Sequence, residues 1–194
     1  MSQNKVTFGL DKVHIAFIDE QAQTQPAWKT PIAIPGAVRF SPEPQGEDMT
    51  FYADNGPYFT YTSNNGYTAE LEMANIPDQV LAEMLGWEID SNGMLIETTD
   101  GMPKEFALLG QILGDKRNRR FVYYRCKASR PTAEQNTRGE SLEVTTQVLN
   151  LSILPIEVNG KNIVRGVIEL NETNQTIFDN FFSAVTLPAT TGGA

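Results

Sequence analysis

Short runs of β-branched and aromatic residues, each closed by Gly, Pro, Asn or Asp, recur along nearly the whole chain, whereas helix-period stretches are few. This pattern constrains the fold more than any other feature. Branched and aromatic side chains suit a pleated, half-buried surface, and the closing residues supply turn geometry. Strands are predicted over 13–18, 28–34, 38–41, 49–53, 58–62, 67–74, 94–97, 106–113, 119–129, 142–154 and 163–170. With 194 residues, 40% of them hydrophobic, the chain suits one mainly β domain with a sizeable core.

Two segments switch to helical spacing. Over 76–86, Val80, Leu81, Met84 and Leu85 form an apolar stripe, Pro77 suits a first helical position, Asp78 complements the N-terminal dipole and Gly86 stops the helix. Near the end, Thr173 or Asn174 can cap a helix carrying Ile177, Phe178, Phe181, Phe182 and Val185 on one side, before Pro188 blocks continuation. Outreaching segments are predicted at an N-terminal arm 1–9, the polar stretch 19–26, a projecting hairpin loop at about 41–55 and a flexible tail 187–194. The hairpin loop holds Glu43, Gln45, Glu47 and Asp48, with two prolines and a glycine, between two strand-like runs.

Charge is divided unevenly. Residues 1–104 carry 5 basic and 15 acidic side chains, while 105–194 carry 10 and 9, within a net −9. Between 116 and 138 the bases Lys116, Arg117, Arg119, Arg120, Arg125, Lys127, Arg130 and Arg138 face only Glu134 in sequence, a local +7. Unlike patches on one chain can steer copies of it head to tail or be the solvated faces of a monomer, and Lys116, Arg117, Arg119 and Arg120 are the candidate basic inter-subunit surface. The overall negative charge argues against a dedicated nucleic-acid binder.

Catalytic parts are scarce. Cys126 is the single cysteine and His14 the single histidine, which excludes an intrachain disulfide and a Cys/His structural zinc site. Both sit in strand-like runs, where packing explains them. Glu70 and Glu72 lie roughly 6.6 Å apart by strand rise, a separation open to a carboxylate pair of the glycosidase kind. Their alternation with Leu71 and Met73 already accounts for them as the wet face of a strand. Glu143, Thr145 and Gln147 alternate likewise with Leu142 and Val144. No cationic segment followed by an apolar one comes after Met1, and no apolar run approaches the ~20 residues of a membrane helix, so a soluble protein made in the cytoplasm is expected.

Phe51-Tyr-Ala-Asp-Asn55, Ser63-Asn-Asn-Gly-Tyr-Thr-Ala-Glu-Leu-Glu-Met73, Ile76-Pro-Asp-Gln-Val-Leu-Ala-Glu-Met-Leu-Gly86 and Ala128-Ser-Arg-Pro131 together resemble the major tail protein of long-tailed, non-contractile phages, the subunit of the tail tube. Phe8-Gly-Leu-Asp-Lys-Val-His-Ile-Ala16, Trp28-Lys-Thr-Pro-Ile-Ala-Ile-Pro-Gly-Ala-Val38, Pro103-Lys-Glu-Phe-Ala-Leu-Leu109 and Ile177-Phe-Asp-Asn-Phe-Phe-Ser-Ala-Val185 extend the resemblance in the same order. It implies a β-sandwich or barrel-like fold of two packed antiparallel sheets with a flanking short helix, a C-terminal helix, a hairpin loop and terminal arms. It implies hexameric rings stacked into a virion tail tube, with the tape measure protein, tail terminator and distal tail protein as partners. DNA would be only a transient occupant of the lumen, and no cofactor, catalytic residue or membrane is implied. Glu70, Glu72, Glu143, Thr145 and Gln147 become candidates for the lumen, and Glu43, Gln45, Glu47 and Asp48 for contact with the next ring. The alternatives are a related tail terminator or phage-derived translocation tube, a glycoside-acting enzyme using Glu70 and Glu72, and a carbohydrate-binding β-sandwich. For the last, Trp28 and Trp87 show no paired platform.

Overall fold

The computed structural model describes residues 4–24, 26–131 and 145–189. In chain order these hold β1 (Thr7–Phe17), β2 (Ile32–Ala33), β3 (Ala37–Pro44), β4 (Asp48–Ala53), β5 (Gly56–Thr62), β6 (Tyr67–Met73) and helix α1 (Asp78–Leu85). Then come β7 (Glu88–Ile89), β8 (Leu95–Ile96), β9 (Phe106–Gly114), β10 (Arg119–Ala128) and β11 (Gln147–Ile153). The last elements are β12 (Ile156–Val158), β13 (Lys161–Ile163), β14 (Arg165–Glu169) and helix α2 (Gln175–Asp179). The fold is mainly β, antiparallel and sandwich-like, as the residue pattern predicts.

Its two layers are halves of one hydrogen-bonded sheet, ordered β2-β1-β9-β10-β11-β6-β3, with β14 attached to β10. Strand β10 is the seam. Its first half pairs with β9 and β14, and from Cys126 onward it pairs with β11. The sheet curls there, so that Phe40 of β3 stacks on Phe121 of β10 at 5.7 Å and Tyr67 of β6 meets Tyr123 edge-on at 5.6 Å. Two bulges let β1 follow the curl, between Phe8 and Leu10 and between Asp11 and His14, with Gly9 and Lys12 at positive φ.

One face of the curled sheet closes the main core, in which Ile15, Phe17, Leu71, Met73, Phe106, Leu108, Leu149 and Ile153 pack with α1. Helix α1 begins after Pro77, whose carbonyl accepts the N–H groups of Val80 and Leu81, and ends at Gly86 in the left-handed region. The outer face of β1, β9 and β10 carries a second cluster of Ala16, Ala107, Leu109, Val122 and Tyr124 covered by Phe181. Trp28 Nε1 donates to the Tyr124 carbonyl at 3.1 Å, and the Tyr124 hydroxyl donates to the Thr186 carbonyl at 3.0 Å. Burial pushes that hydroxyl up to about 12.

Three expectations change. The described part of the segment 1–9 is docked: β1 starts at Thr7, and Asn4 bonds the backbone of Lys116 and Arg117. Helix α2 is short, and Ile177 is 50% exposed instead of joining a stripe. Its Phe178 carbonyl accepts from both the Arg120 guanidinium and the Phe181 N–H, the latter an i to i−3 bond that closes the helix in a tighter turn. Asn174 stands at the cap position without capping; its side chain instead binds the Asn171 N–H and the Glu169 carbonyl. The tail residues 190–194 lie outside the described residues.

Candidate functional site

The projecting element is a ribbon, not a loop. Residues 41–44, read as the start of a loop, are the end of β3, where Pro42 lies opposite Ala69 and Pro44 opposite Tyr67. Prolines are tolerated there because β3 is a sheet edge and owes no hydrogen bonds outward. Pairing then continues through Gln45, whose N–H donates to the Gly66 carbonyl, and through Glu47, whose carbonyl accepts from Ser63. Glu43, Gln45, Glu47 and Asp48 are all exposed along this ribbon, Glu43 opposite Thr68 and Asp48 opposite Thr62. Beyond it β4 and β5 form a separate hairpin, turned at Asp54 and Asn55, both at positive φ.

That hairpin is unusual for a surface. Met49 lies opposite Tyr61 and Phe51 opposite Phe59, so these four share one face, while Asp48, Thr50, Thr60 and Thr62 share the other. Met49, Phe51, Phe59 and Tyr61 are 55–60% exposed, and Tyr52 and Tyr58 more so. No other part of the described chain covers them. Scattered exposed hydrophobics need no explanation, but an aligned ladder of aromatics on a projecting hairpin does.

The lumen candidates divide. Glu70 and Glu72 share the outer face of β6 with Thr68, beside Arg39 and Ser41 of β3 and Asn150 and Ser152 of β11. Arg39 bridges both carboxylates, at 2.7 Å to Glu70 and 3.4 Å to Glu72, which raises its own pKa. Thr146 donates to Glu72 at 2.7 Å. Gln147 does not join them. Its partner is Met73 on the core side, and its Oε1 accepts the Ile76 N–H at 2.8 Å, anchoring the start of α1. The register places the even residues of β11 with the glutamates, the reverse of the face expected for Gln147. Thr145 is exposed just before β11, and Glu143 lies outside the described residues. A carboxylate pair tied by one arginine on an open sheet face is an ion-pair arrangement, not an acid and a base held in different environments.

The basic segment is paired in space by acids remote in sequence. Glu169 meets Arg117 at 3.0 Å and Arg119 at 3.6 Å, Glu105 holds Arg125 through two bonds of 2.9 Å, and Glu97 meets Arg130 at 2.8 Å. Arg120 leaves the surface altogether: its Nε donates to Gln111 at 3.1 Å, its Nη1 to the Phe178 carbonyl, and its guanidinium lies over the rings of Phe178 and Phe182 at 4.0 and 4.8 Å. Burial lowers its pKa. Arg120 therefore fastens α2 to the sheet and is buried among the described residues.

Cys126 is fully buried, which pushes its thiol up, and His14 stacks on Phe182 at 4.5 Å with Nδ1 beside the Lys12 carbonyl. Among the described residues no cluster of His, Cys, Asp or Glu suited to a metal ion occurs, and no helix is long and apolar enough to cross a membrane. No protein-family model matches the chain, and no curated protein matches it. Among solved structures it is similar to one described as "Cryo-EM structure of the anti-feeding prophage cap (AFP tube terminating cap)", at 8% identity and a TM-score of 0.46, covering 87% of this chain and 97% of that one.

Proposed function

We propose that the chain is a structural subunit of a phage-type tail tube, which joins copies of itself into rings stacked around a path for DNA. The observation that carries this reading is the β4–β5 hairpin: an aromatic face that pairs with no other strand and is covered by nothing among the described residues. Because the four side chains are 55–60% exposed, covering them completely is worth about 1–2 kcal/mol each. Together they offset part of an association cost of roughly 4–15 kcal/mol. The ordered tail-tube motifs in the sequence support the same reading, as does a curled sheet in which β2, β3 and β14 each pair on one side alone among the described strands. The partners in this reading are further copies, the tape measure protein, the terminator and the distal tail protein, in the virion tail. The open face of Glu70 and Glu72 is the proposed wall of the DNA path.

Light scattering and negative-stain microscopy across a concentration series test the proposal. Long tubes are the expected product. Single rings that never stack would favour a tail terminator, and a protein that stays monomeric throughout would sink the reading.

A further inference from the structure

A shallow depression opens where β1, β3, β9, β10 and β14 converge, lined by Phe8, Phe40, Ile112, Arg119, Arg165 and Val167 among others. Phe8, Ile112 and Val167 are exposed by 56, 36 and 42%, an apolar surface continuous with the main core through Phe40 and Phe121. Its rim is cationic. Arg165 donates to the Tyr123 hydroxyl at 3.4 Å and lies over that ring at 5.9 Å, without a carboxylate partner among the described residues. Arg119 reaches Glu169 only at 3.6 Å. No acidic side chain lines the depression.

The chain carries the complementary shape elsewhere. The β4–β5 hairpin presents Met49, Phe51, Phe59 and Tyr61 on one face, flanked by Glu47, Asp48 and Asp54, and no Lys or Arg occurs anywhere from residue 40 to residue 103. We infer that the Phe8–Arg165 depression is the receptor for the β4–β5 hairpin of a second copy of this chain. Apolar ladder meets apolar floor, and the hairpin acids meet Arg165 and Arg119 at the rim. No residue of the hairpin lines the depression of its own subunit, so the joint forms between copies. An interface made of two different patches propagates from copy to copy. The absence of any cation on the hairpin disfavours an anionic lipid surface as its occupant.

This inference rests on the tube reading, and the experiment separates the two. Self-association is measured by sedimentation velocity for the full chain, a hairpin variant (Phe51→Ser with Phe59→Ser) and two independent depression variants (Phe8→Ser and Arg165→Glu), each checked by thermal melting. The second depression variant stands in if the first does not fold. Each variant is expected to need at least tenfold more protein to associate. Mixing the hairpin variant with a depression variant is expected to give a complex of equal stoichiometry, because the intact hairpin of one meets the intact depression of the other. Depression variants that associate like the unmodified chain, or a mixture that stays monomeric, overturn the inference while leaving the tube reading in place. An unmodified chain that never self-associates, or whose hairpin instead binds phosphatidylcholine vesicles, overturns both.

Discussion

Arg120 shows how far a single residue can depart from its sequence neighbours. It sits among bases that read as one surface patch, yet the alternation of β10 turns it onto the face that α2 covers, opposite Gln111, where its planar fork meets a side-chain oxygen and the end of α2. Arg120 and Gln111 are the two buried polar side chains among the described residues, and they satisfy each other. Arg120→Ala leaves Gln111 Oε1 without a donor, strips the Phe178 carbonyl of its side-chain donor and removes the platform under two rings, an expected loss of about 2–4 kcal/mol in urea unfolding. Arg120→Lys should recover less than half of it, since an ammonium lacks the fork that serves both acceptors. A change within error for the alanine variant would mean that α2 is held by its aromatic residues alone.

At the level of elements, the hairpin and α1 differ in what holds them. β4 and β5 pair only with each other, so their stability depends on the turn at Asp54 and Asn55, with φ of 50° and 59°. Asn55→Val forces a β-branched residue into the left-handed region at a local cost of about 1–2 kcal/mol. Hydrogen exchange is expected to speed up in the hairpin amides while the global melting temperature holds. Equal loss of protection throughout the sheet would contradict the hairpin's independence.

Helix α1 is tied to the body through Glu83, which meets Lys29 at 3.2 Å and Lys104 at 3.0 Å. Burial pushes the Glu83 carboxyl upward, but the two lysines outweigh it and hold the group below its ordinary 4.5. A carboxyl whose folded pKa is lowered contributes stability fully present above the unfolded value and lost as pH falls through the folded one. Unfolding measured from pH 6 down to about pH 3 is expected to show a shallower acid slope in Glu83→Gln than in the unmodified protein, and an identical slope would remove Glu83 from the account.

At the scale of the whole molecule, the charge split along the chain does not survive folding as two opposed faces. Glu97, Glu105 and Glu169 neutralise much of the basic segment within the subunit, and Arg39 neutralises one charge of the Glu70–Glu72 face. That face is consequently only weakly anionic at its centre. Replacing Glu70 and Glu72 with Lys turns it into three clustered cations with Arg39. If the face lines the proposed tube, assembled tubes of this variant are expected to retain double-stranded DNA at low salt and release it as salt rises. Tubes that form normally and ignore DNA at every salt concentration would place the face on the outside.

Strand content, α1 with its Gly86 stop, and the separation of wet from dry residues on β6 were legible in sequence because each rests on local periodicity and backbone preference. The β12–β13 hairpin also has a local signature in Asn159-Gly160, the left-handed pair its tight turn requires. Other features had no local signature. The face taken by Gln147 depends on the register between β11 and β6, set by pairs as far apart in sequence as Gln147 and Met73, and a one-residue slip exchanges the faces of a strand. The prolines of 41–44 read as a loop because local propensity cannot tell a loop from an edge strand. Which arginines remain at the surface was likewise decided by tertiary structure, because Glu97, Glu105 and Glu169 reach them only once the strands are paired and the sheet has curled.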